Sequence, residues 1–482
     1  MEGRGSGDVR RARTGRGAGA GDRPARGGAP VVGGAALRPR GPVRPGGSRC
    51  PGRPGVRGTG AAARRPRGCP AFAPSAGRCP MALTTSGATV VSAPLLYEAS
   101  RRAIAQAAEK VWPGRGAVLG PQCPSVTSYV CQVSVDSQEL YAKYTWLSSS
   151  LVSILCGARG SWADVQGEQG PYVRSADLVT RREHQHLGFL QELGRPRVGE
   201  PVGLRDGVLF TRAVTGTTVA EELTVRPWDT ETVLRSVLLC LGELHCEAGA
   251  GYLRRSWPIT ERGIPDVFAR KFRGPSAARY VADLGRDRLI AEGERAAIVD
   301  LLGTAVRRLL RLTGAIRPRQ RCAVFGDLKP EHVYLTSGRR MTFIDPALQW
   351  AAGPEPDVAK LFGRTLLLGL CHHELRAEQQ ITEGVMAVLG RHGKGLRPRD
   401  QADRLREVMV LWLMDTVNIL STCLSAPSDF PLTGSQQVLV SQARRIAAVV
   451  ERVSGLLIGS ASGPGLLDGV FHEVEHTALD LR

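Results

Sequence analysis

Lysine is scarce in this 482-residue chain, with six copies at positions 110, 143, 271, 329, 360 and 394 against 58 arginines. The two cations are interchangeable on a solvated surface but differ where a compact ammonium must sit between phosphate oxygens. A bias of this size is what a GC-rich coding sequence produces, so each surviving lysine is more informative. Paired cysteines are absent too. The eleven cysteines lie scattered, none in a Cys-x-x-Cys spacing, and their number is odd. That excludes a disulfide framework and a zinc ribbon, and it fits a reducing, cytoplasmic compartment. No apolar run reaches eighteen residues; Val408–Met414, a typical short one, is closed by Asp415. No membrane partner is therefore expected. Internal repeats are absent as well.

Negative charge is nearly missing from residues 1–80, which hold seventeen Arg, no Lys and only Glu2, Asp8 and Asp22. They carry +14 of the +19 formal charge, and the rest of the chain, with 47 basic and 42 acidic residues, is almost balanced. The stretch is dominated by Gly, Pro, Ala and Arg, with Phe72 its only aromatic. It cannot bury enough apolar area to offset chain entropy and is expected to be disordered. An Arg/Gly-rich arm of this kind suits RNA or other phosphate backbones, and this is the only route to a nucleic-acid partner. A targeting peptide is disfavoured because Val31–Leu37 is short and glycine-interrupted. The preferred reading is a segment without function, the working protein beginning near Met81.

The most informative stretch runs from Cys322 to Pro346 and contains Gly326-Asp-Leu-Lys-Pro-Glu-His and Ile344-Asp-Pro. It reads as a short strand, a loop, a strand His332–Thr336, a turn at Ser337-Gly338 and a strand Met341–Ile344. Asp327 falls in the loop and Asp345 at the end of the last strand. A hairpin that brings two acids to one rim has a use in phosphoryl transfer: one acid takes the proton of the attacking hydroxyl, the other holds Mg²⁺ on the phosphates. Gly-Asp is also an ordinary turn dipeptide; its coupling to a hairpin and a second acid sets it apart.

This order of residues resembles the catalytic loop and metal-binding acid of protein-kinase-like phosphotransferases, most of all the branch of aminoglycoside phosphotransferases and other small-molecule kinases. The resemblance implies an α+β, protein-kinase-like two-lobe fold, with a small β-rich lobe carrying one helix and a larger, mainly helical lobe. It also implies a disordered tail over 1–85, a nucleotide-binding lobe over 86–213, and a helical lobe with catalytic loop and acceptor site over 214–482. Asp327 would be the catalytic base, Lys329 a cation near the γ-phosphate, and His332 and Asp345 the metal ligands. Asp357 would order the catalytic loop. Two positions depart from the family pattern: Phe325 stands where His is usual and can only pack, and His332 stands where Asn is usual. Imidazole is a poorer partner than oxygen for a hard cation.

Upstream features agree in order. A helix is expected over 93–112, then strands Tyr129–Val135 and Glu139–Thr145, with the loop Gly120–Ser128 ahead of them. That loop lacks Gly-x-Gly-x-x-Gly but is rich in hydroxyls, and Ser125, Thr127 and Ser128 are the candidates to face phosphates. Lys143 in the second strand and Glu183 in a helix Ala176–Leu193 match the family's lysine–glutamate pair. Their separation implies an inserted loop around Ser148–Tyr172. Strands Val198–Leu204 and Val208–Ala213 lead to a lobe connector from Val214, and then to a core helix Thr232–Glu247. Residues 250–320 form an insertion with basic helices, including Ile298–Leu312. Further helices are expected over Val358–Glu378, Ile381–Leu389, Arg404–Leu424 and Ser435–Ile458. His472-Glu-Val-Glu-His476 matches a zinc-helix pattern, but it sits six residues from the C-terminus and reads as an ordinary exposed helix end.

The expected reaction is transfer of the γ-phosphoryl group of ATP or GTP, with Mg²⁺, to a hydroxyl of a small molecule: an antibiotic, a sugar or a biosynthetic intermediate. Residues 346–482 hold fifteen acids and thirteen bases, so no bias toward polycationic acceptors is visible. Other readings are a nucleotide-binding pseudokinase, or an RNA-binding protein led by the basic tail.

Overall fold

The computed structural model describes residues 91–274, 276–288, 290–318, 321–336, 340–459 and 465–480. The chain divides into Met1–Met81 and Ala82–Arg482, and every described residue belongs to the second unit. The readings of residues 1–80 and of the Ser337-Gly338 turn lie outside the described residues.

Helix α1 (Ala93–Val111) buries Leu96, Ser100, Ile104 and Ala107, a spacing of three and four that makes one apolar stripe. The stripe packs on an antiparallel sheet of β1 (Val118–Cys123), β2 (Tyr129–Val135), β3 (Gln138–Tyr144), β4 (Pro201–Arg205) and β5 (Val208–Arg212), in the order β1-β2-β3-β5-β4. Strand β2 alternates strictly, burying Tyr129, Cys131, Val133 and Val135. Asp136 and Ser137, between β2 and β3, both take positive φ, as a two-residue hairpin turn requires. Gly120–Cys123, expected as loop, belongs to β1, where Gln122 and Cys123 pair with β2 after a break in register at Gly120-Pro121; the loop proper starts at Pro124.

Between β3 and β4 lie α2 (Leu151–Leu155), α3 (Trp162–Arg174) and α4 (Val179–Leu193). The insertion is therefore helical rather than a loop. Its signals are short-range: Ser150 caps α2, and Ser161 with Asp164 forms a capping box on α3. The small lobe thus holds α1, α2 and α3 besides α4, the helix that carries Glu183.

The larger lobe begins with β6 (Thr217–Thr218), α5 (Val219–Val225), α6 (Thr230–Cys240), α7 (Glu247–Leu253), α8 (Ile264–Phe272), α9 (Ala277–Val281) and α10 (Glu292–Arg311). Strands β7 (Cys322–Val324), β8 (Val333–Thr336), β9 (Arg340–Phe343) and β10 (Gln349–Ala351) follow, with β7 pairing β10 and β6-β8-β9 forming a second small sheet. The chain then runs through α11 (Glu355–Leu370), α12 (Leu375–Arg391), α13 (Pro398–Leu424), α14 (Gly434–Ser441), α15 (Ala443–Ile458) and α16 (Gly465–Asp480). The helix expected over Val358–Glu378 breaks after Leu370, where Glu374 N–H donates to His372 Nδ1 instead of to a helical carbonyl. By length and composition α13 could cross a membrane, yet 94% of its most apolar window is buried inside the protein. It is the core helix against which α8, α11 and α15 pack.

Candidate active site

A cavity of about 620 Å³ lies between the β-rich and helical parts, lined by β2, β3 and β5 on one side and by α8, α11 and α13 on the other. All nine candidate site residues line it: Ser125, Thr127, Ser128, Lys143, Glu183, Asp327, Lys329, His332 and Asp345.

Lys143 is held in β3 by pairing on both edges, opposite Val130 of β2 and Leu209 of β5. Its ammonium lies 2.8 Å from Glu183 Oε1 and 2.9 Å from Asp345 Oδ2. Glu183 is only 1% exposed, so an uncompensated charge there would be costly. Its other oxygen receives Arg262 Nη2 at 2.9 Å. Asp345 follows β9 with a φ of 58°, a left-handed conformation that Asp tolerates better than most residues. Burial pushes the Asp345 carboxyl up, but Lys143, His332 and Arg262 outweigh it and hold the group well below the usual carboxylate range.

Asp327 sits in the loop between β7 and β8, and the loop is built around Asp357. This fully buried carboxylate accepts the backbone N–H of Phe325 at 2.7 Å and of Gly326 at 2.8 Å, and it meets His245 Nε2 at 2.9 Å. That is the ordering role the family resemblance implies for it. Phe325 itself only packs, its ring 5.7 Å from that of Phe343. Asp327 Oδ1 meets Lys360 Nζ at 2.7 Å and Oδ2 meets Lys329 Nζ at 3.2 Å. Burial raises the Asp327 carboxyl, but Lys329, Lys360, His332 and Arg262 together hold it well below its ordinary value. The same burial pushes the Lys329 ammonium down. Burial would also lower Lys360, but Asp327 and Asp415 outweigh it and raise the group.

His332 ends a single 3₁₀ turn, Pro330–His332, rather than opening the strand. Its Nδ1 is 3.0 Å from the Asp327 carbonyl, and its Nε2 is 3.3 Å from Lys329 Nζ and 3.9 Å from Asp345 Oδ2. Nδ1–H therefore donates to the carbonyl and the Nε2 lone pair faces the lysine. Burial, and then Lys329, push the imidazole down to about 4, so it is neutral near pH 7.

Ser125 turns its hydroxyl back on its own loop, 3.4 Å from the N–H of both Thr127 and Ser128. Ser128 Oγ is buried with no partner among the described residues.

Arg262, Lys360, Arg364 and Asp415 complete the charge network, with Arg364 Nε 2.6 Å and Lys360 Nζ 3.6 Å from Asp415. None of these four stood out in the sequence. For Lys360 a signal existed: it is one of six lysines, set in an otherwise apolar helical stretch, Val358-Ala-Lys-Leu-Phe. His472 and His476 are both exposed on α16, their rings 4.2 Å apart. Among the described residues no group of three or more His, Cys, Asp or Glu is arranged to hold a metal.

The sheet with its strand lysine, the helix glutamate that meets it, and the loop and hairpin carrying two acids above a helical lobe define a mixed α+β, two-lobed, kinase-like fold. No family model matches the chain, and no curated protein matches it in sequence. Solved structures do resemble it. A Plasmodium vivax ethanolamine kinase is 11% identical, with 76% of this chain and 84% of that one covered, at a TM-score of 0.37. A choline/ethanolamine kinase family protein from Mesorhizobium loti is 14% identical over 78% and 99%, also at 0.37. A thermostable mutant of the aminoglycoside phosphotransferase APH(4)-Ia, solved with ADP and hygromycin B, is 13% identical over 70% and 94%, at 0.38. These scores are low, and the reading of activity rests on the site itself.

Proposed function

We propose that this chain is a small-molecule phosphotransferase that moves the γ-phosphoryl group of ATP to an acceptor hydroxyl. The observation that carries the reading is Lys143, whose one ammonium joins Glu183 of α4 to Asp345 after β9 on the wall that also bears Asp327. A lysine locked this way presents a fixed positive charge to the α- and β-phosphates without the entropy loss of ordering a free side chain.

Asp327 is proposed to accept the hydroxyl proton. Its low proton affinity suits a loose transition state, in which the hydroxyl loses its proton late and alignment matters more than basicity. Lys329 and Lys360 then face charge that builds on the transferred oxygens. Magnesium would be held by Asp345, a hard carboxylate oxygen donor on the cavity wall that meets Lys143 through Oδ2. When bound, the ion neutralises the phosphates. His332 does not fit as a direct ligand, because its Nε2 lone pair is directed at Lys329; its role here is to fix the Asp327 loop through Nδ1.

The second reading, a nucleotide-binding protein without turnover, is favoured by the ammonium groups that meet both oxygens of Asp327. The full chain is incubated with labelled ATP, Mg²⁺ and a panel of hydroxylated metabolites, beside Asp327→Ala. Acceptor-dependent transfer that disappears in the variant is expected. Undiminished transfer in Asp327→Ala defeats the assignment, and nucleotide binding without transfer to any acceptor favours the second reading.

A further inference from the structure

Beyond Asp327 the cavity continues along α13. Asp415, which meets Lys360, is followed one turn later by Asn418 and after a further turn by Thr422. Seven residues of helix span on the order of 10 Å. At the far end of that span stands Lys271 of α8, 7% exposed, its Nζ 2.7 Å from the Asn418 carbonyl and bonded to the Thr422 hydroxyl. The ammonium also lies 4.8 Å above the Tyr280 ring. Arg270, the preceding residue, and Arg159, between α2 and α3, line the same cavity and are exposed to it.

These three cations differ from the other cations described around the site. Lys271, Arg270 and Arg159 make no ion pair with a carboxylate among the described residues, whereas the carboxylates on the cavity walls are already taken, apart from Glu331, whose charge acts on Lys329 and Arg364 at the Asp327 end. Glu183 and Asp345 hold Lys143, Asp327 holds Lys329 and Lys360, Asp415 holds Arg364, and Glu261 holds Arg182. Each guanidinium also keeps unused donors: Arg270 gives only Nη2, to the Glu261 carbonyl, and Arg159 gives Nε to Ser149 and Nη2 to the Leu147 carbonyl. Hydroxyls of Ser153, Ser276, Tyr280 and Thr422 line the same end. A buried ammonium with no counter-ion is unfavourable, and burial pushes Lys271 down to about 7. An anion entering this end would supply the missing counter-charge and return the proton.

We infer that the acceptor, on the phosphotransferase reading above, carries an acidic group, carboxylate or phosphate, which Arg159, Arg270 and Lys271 receive on the order of 10 Å from the hydroxyl that Asp327 meets. A polycation would meet only like charge there.

The test uses one six-carbon skeleton in four charge states: glucose, gluconate, glucose 6-phosphate and glucosamine. Binding to the full chain is read by calorimetry and thermal shift, and transfer by ADP formation with ATP. Gluconate or glucose 6-phosphate is expected to bind at least tenfold more tightly than glucose and glucosamine, and which of the two wins separates carboxylate from phosphate. Lys271→Met and Arg270→Gln are each expected to erase most of that preference. Arg270 is exposed, so its variant stays interpretable if the buried one fails to fold. Equal or tighter binding of glucosamine, binding of neither anion, or an anion preference untouched by both variants overturns the inference. Anion binding that depends on both residues but yields no ADP leaves this pocket standing and counts against the transfer reaction instead.

Discussion

At the scale of single residues, Asp327 and Lys360 form the sharpest test. Asp327→Asn keeps the shape of the group but removes its charge and its capacity to take a proton. Transfer is expected to fall about 10²–10⁴-fold, while nucleotide affinity, measured by calorimetry, stays within a few-fold of wild type. Lys360→Met acts differently. It leaves the buried carboxylates of Asp327 and Asp415 facing each other without the shared ammonium. Removing one partner of a buried pair costs about 3–5 kcal/mol, and urea unfolding at pH 7 should report a loss of that size. A loss under 1 kcal/mol would show that the ammonium is not needed between them.

Lys271 makes a prediction with a definite sign. Burial lowers its ammonium from 10.5 to about 7. Between those values the unfolded chain keeps a proton that the folded chain has released, so stability rises with pH across that window. The slope is at most about 1.4 kcal/mol per pH unit. Buried cysteines and tyrosines also titrate there, so the measurement is a difference: urea unfolding of wild type minus Lys271→Met, from pH 7 to 10. A difference that stays flat or falls would count against a depressed lysine.

At the scale of elements, the loop from β7 to β8 depends on one backbone conformation. Gly326 has φ of 85°, and a Cβ placed there would lie 2.1 Å from the Ala347 carbonyl oxygen. Gly326→Ala therefore forces the strand end after β9 away from the loop and moves Asp327 and Asp345 relative to each other. The expected outcome is a loss of transfer comparable to that of Asp327→Asn, with stability lowered by roughly 1–3 kcal/mol for the strained position. A variant with normal turnover would show that the loop tolerates the shift.

The expected strands and helices mostly formed, and the differences have local causes. The insertion after β3 became α2 and α3 because Ser150, Ser161 and Asp164 cap them, signals that a search for loop composition passes over. Helix α6 stops at Cys240, short of the expected Glu247. Leu241 caps it and Gly242 comes next, and glycine weakens a helix; His245 is thereby left outside the helix, beside Asp357.

At the scale of the whole molecule, ligand and fold are thermodynamically linked. Nucleotide that binds only the folded chain stabilises it by about 2.7 kcal/mol at a hundred times its dissociation constant. Thermal scans with ATP and Mg²⁺ should therefore show a concentration-dependent rise in Tm. Lys143→Met should abolish most of that rise, because it removes the charge between Glu183 and Asp345. A rise of equal size in the variant would place the nucleotide elsewhere.

Chain order alone carried the hairpin and its two acids, because short-range turn chemistry and period-two burial are written in neighbouring residues, whereas Lys143 and Glu183 are singled out by the family resemblance. Chain order could not carry Arg262, Lys360, Arg364 or Asp415. Arg262 lies just before α8, Lys360 and Arg364 one turn apart on α11, and Asp415 on α13, and only their packing against the loop gives them partners. The same holds for Lys271, Arg270 and Arg159: in the sequence they are three basic residues among 64. That they make no ion pair among the described residues is a property of the folded cavity, where distance and desolvation, not spacing along the chain, set the charge balance.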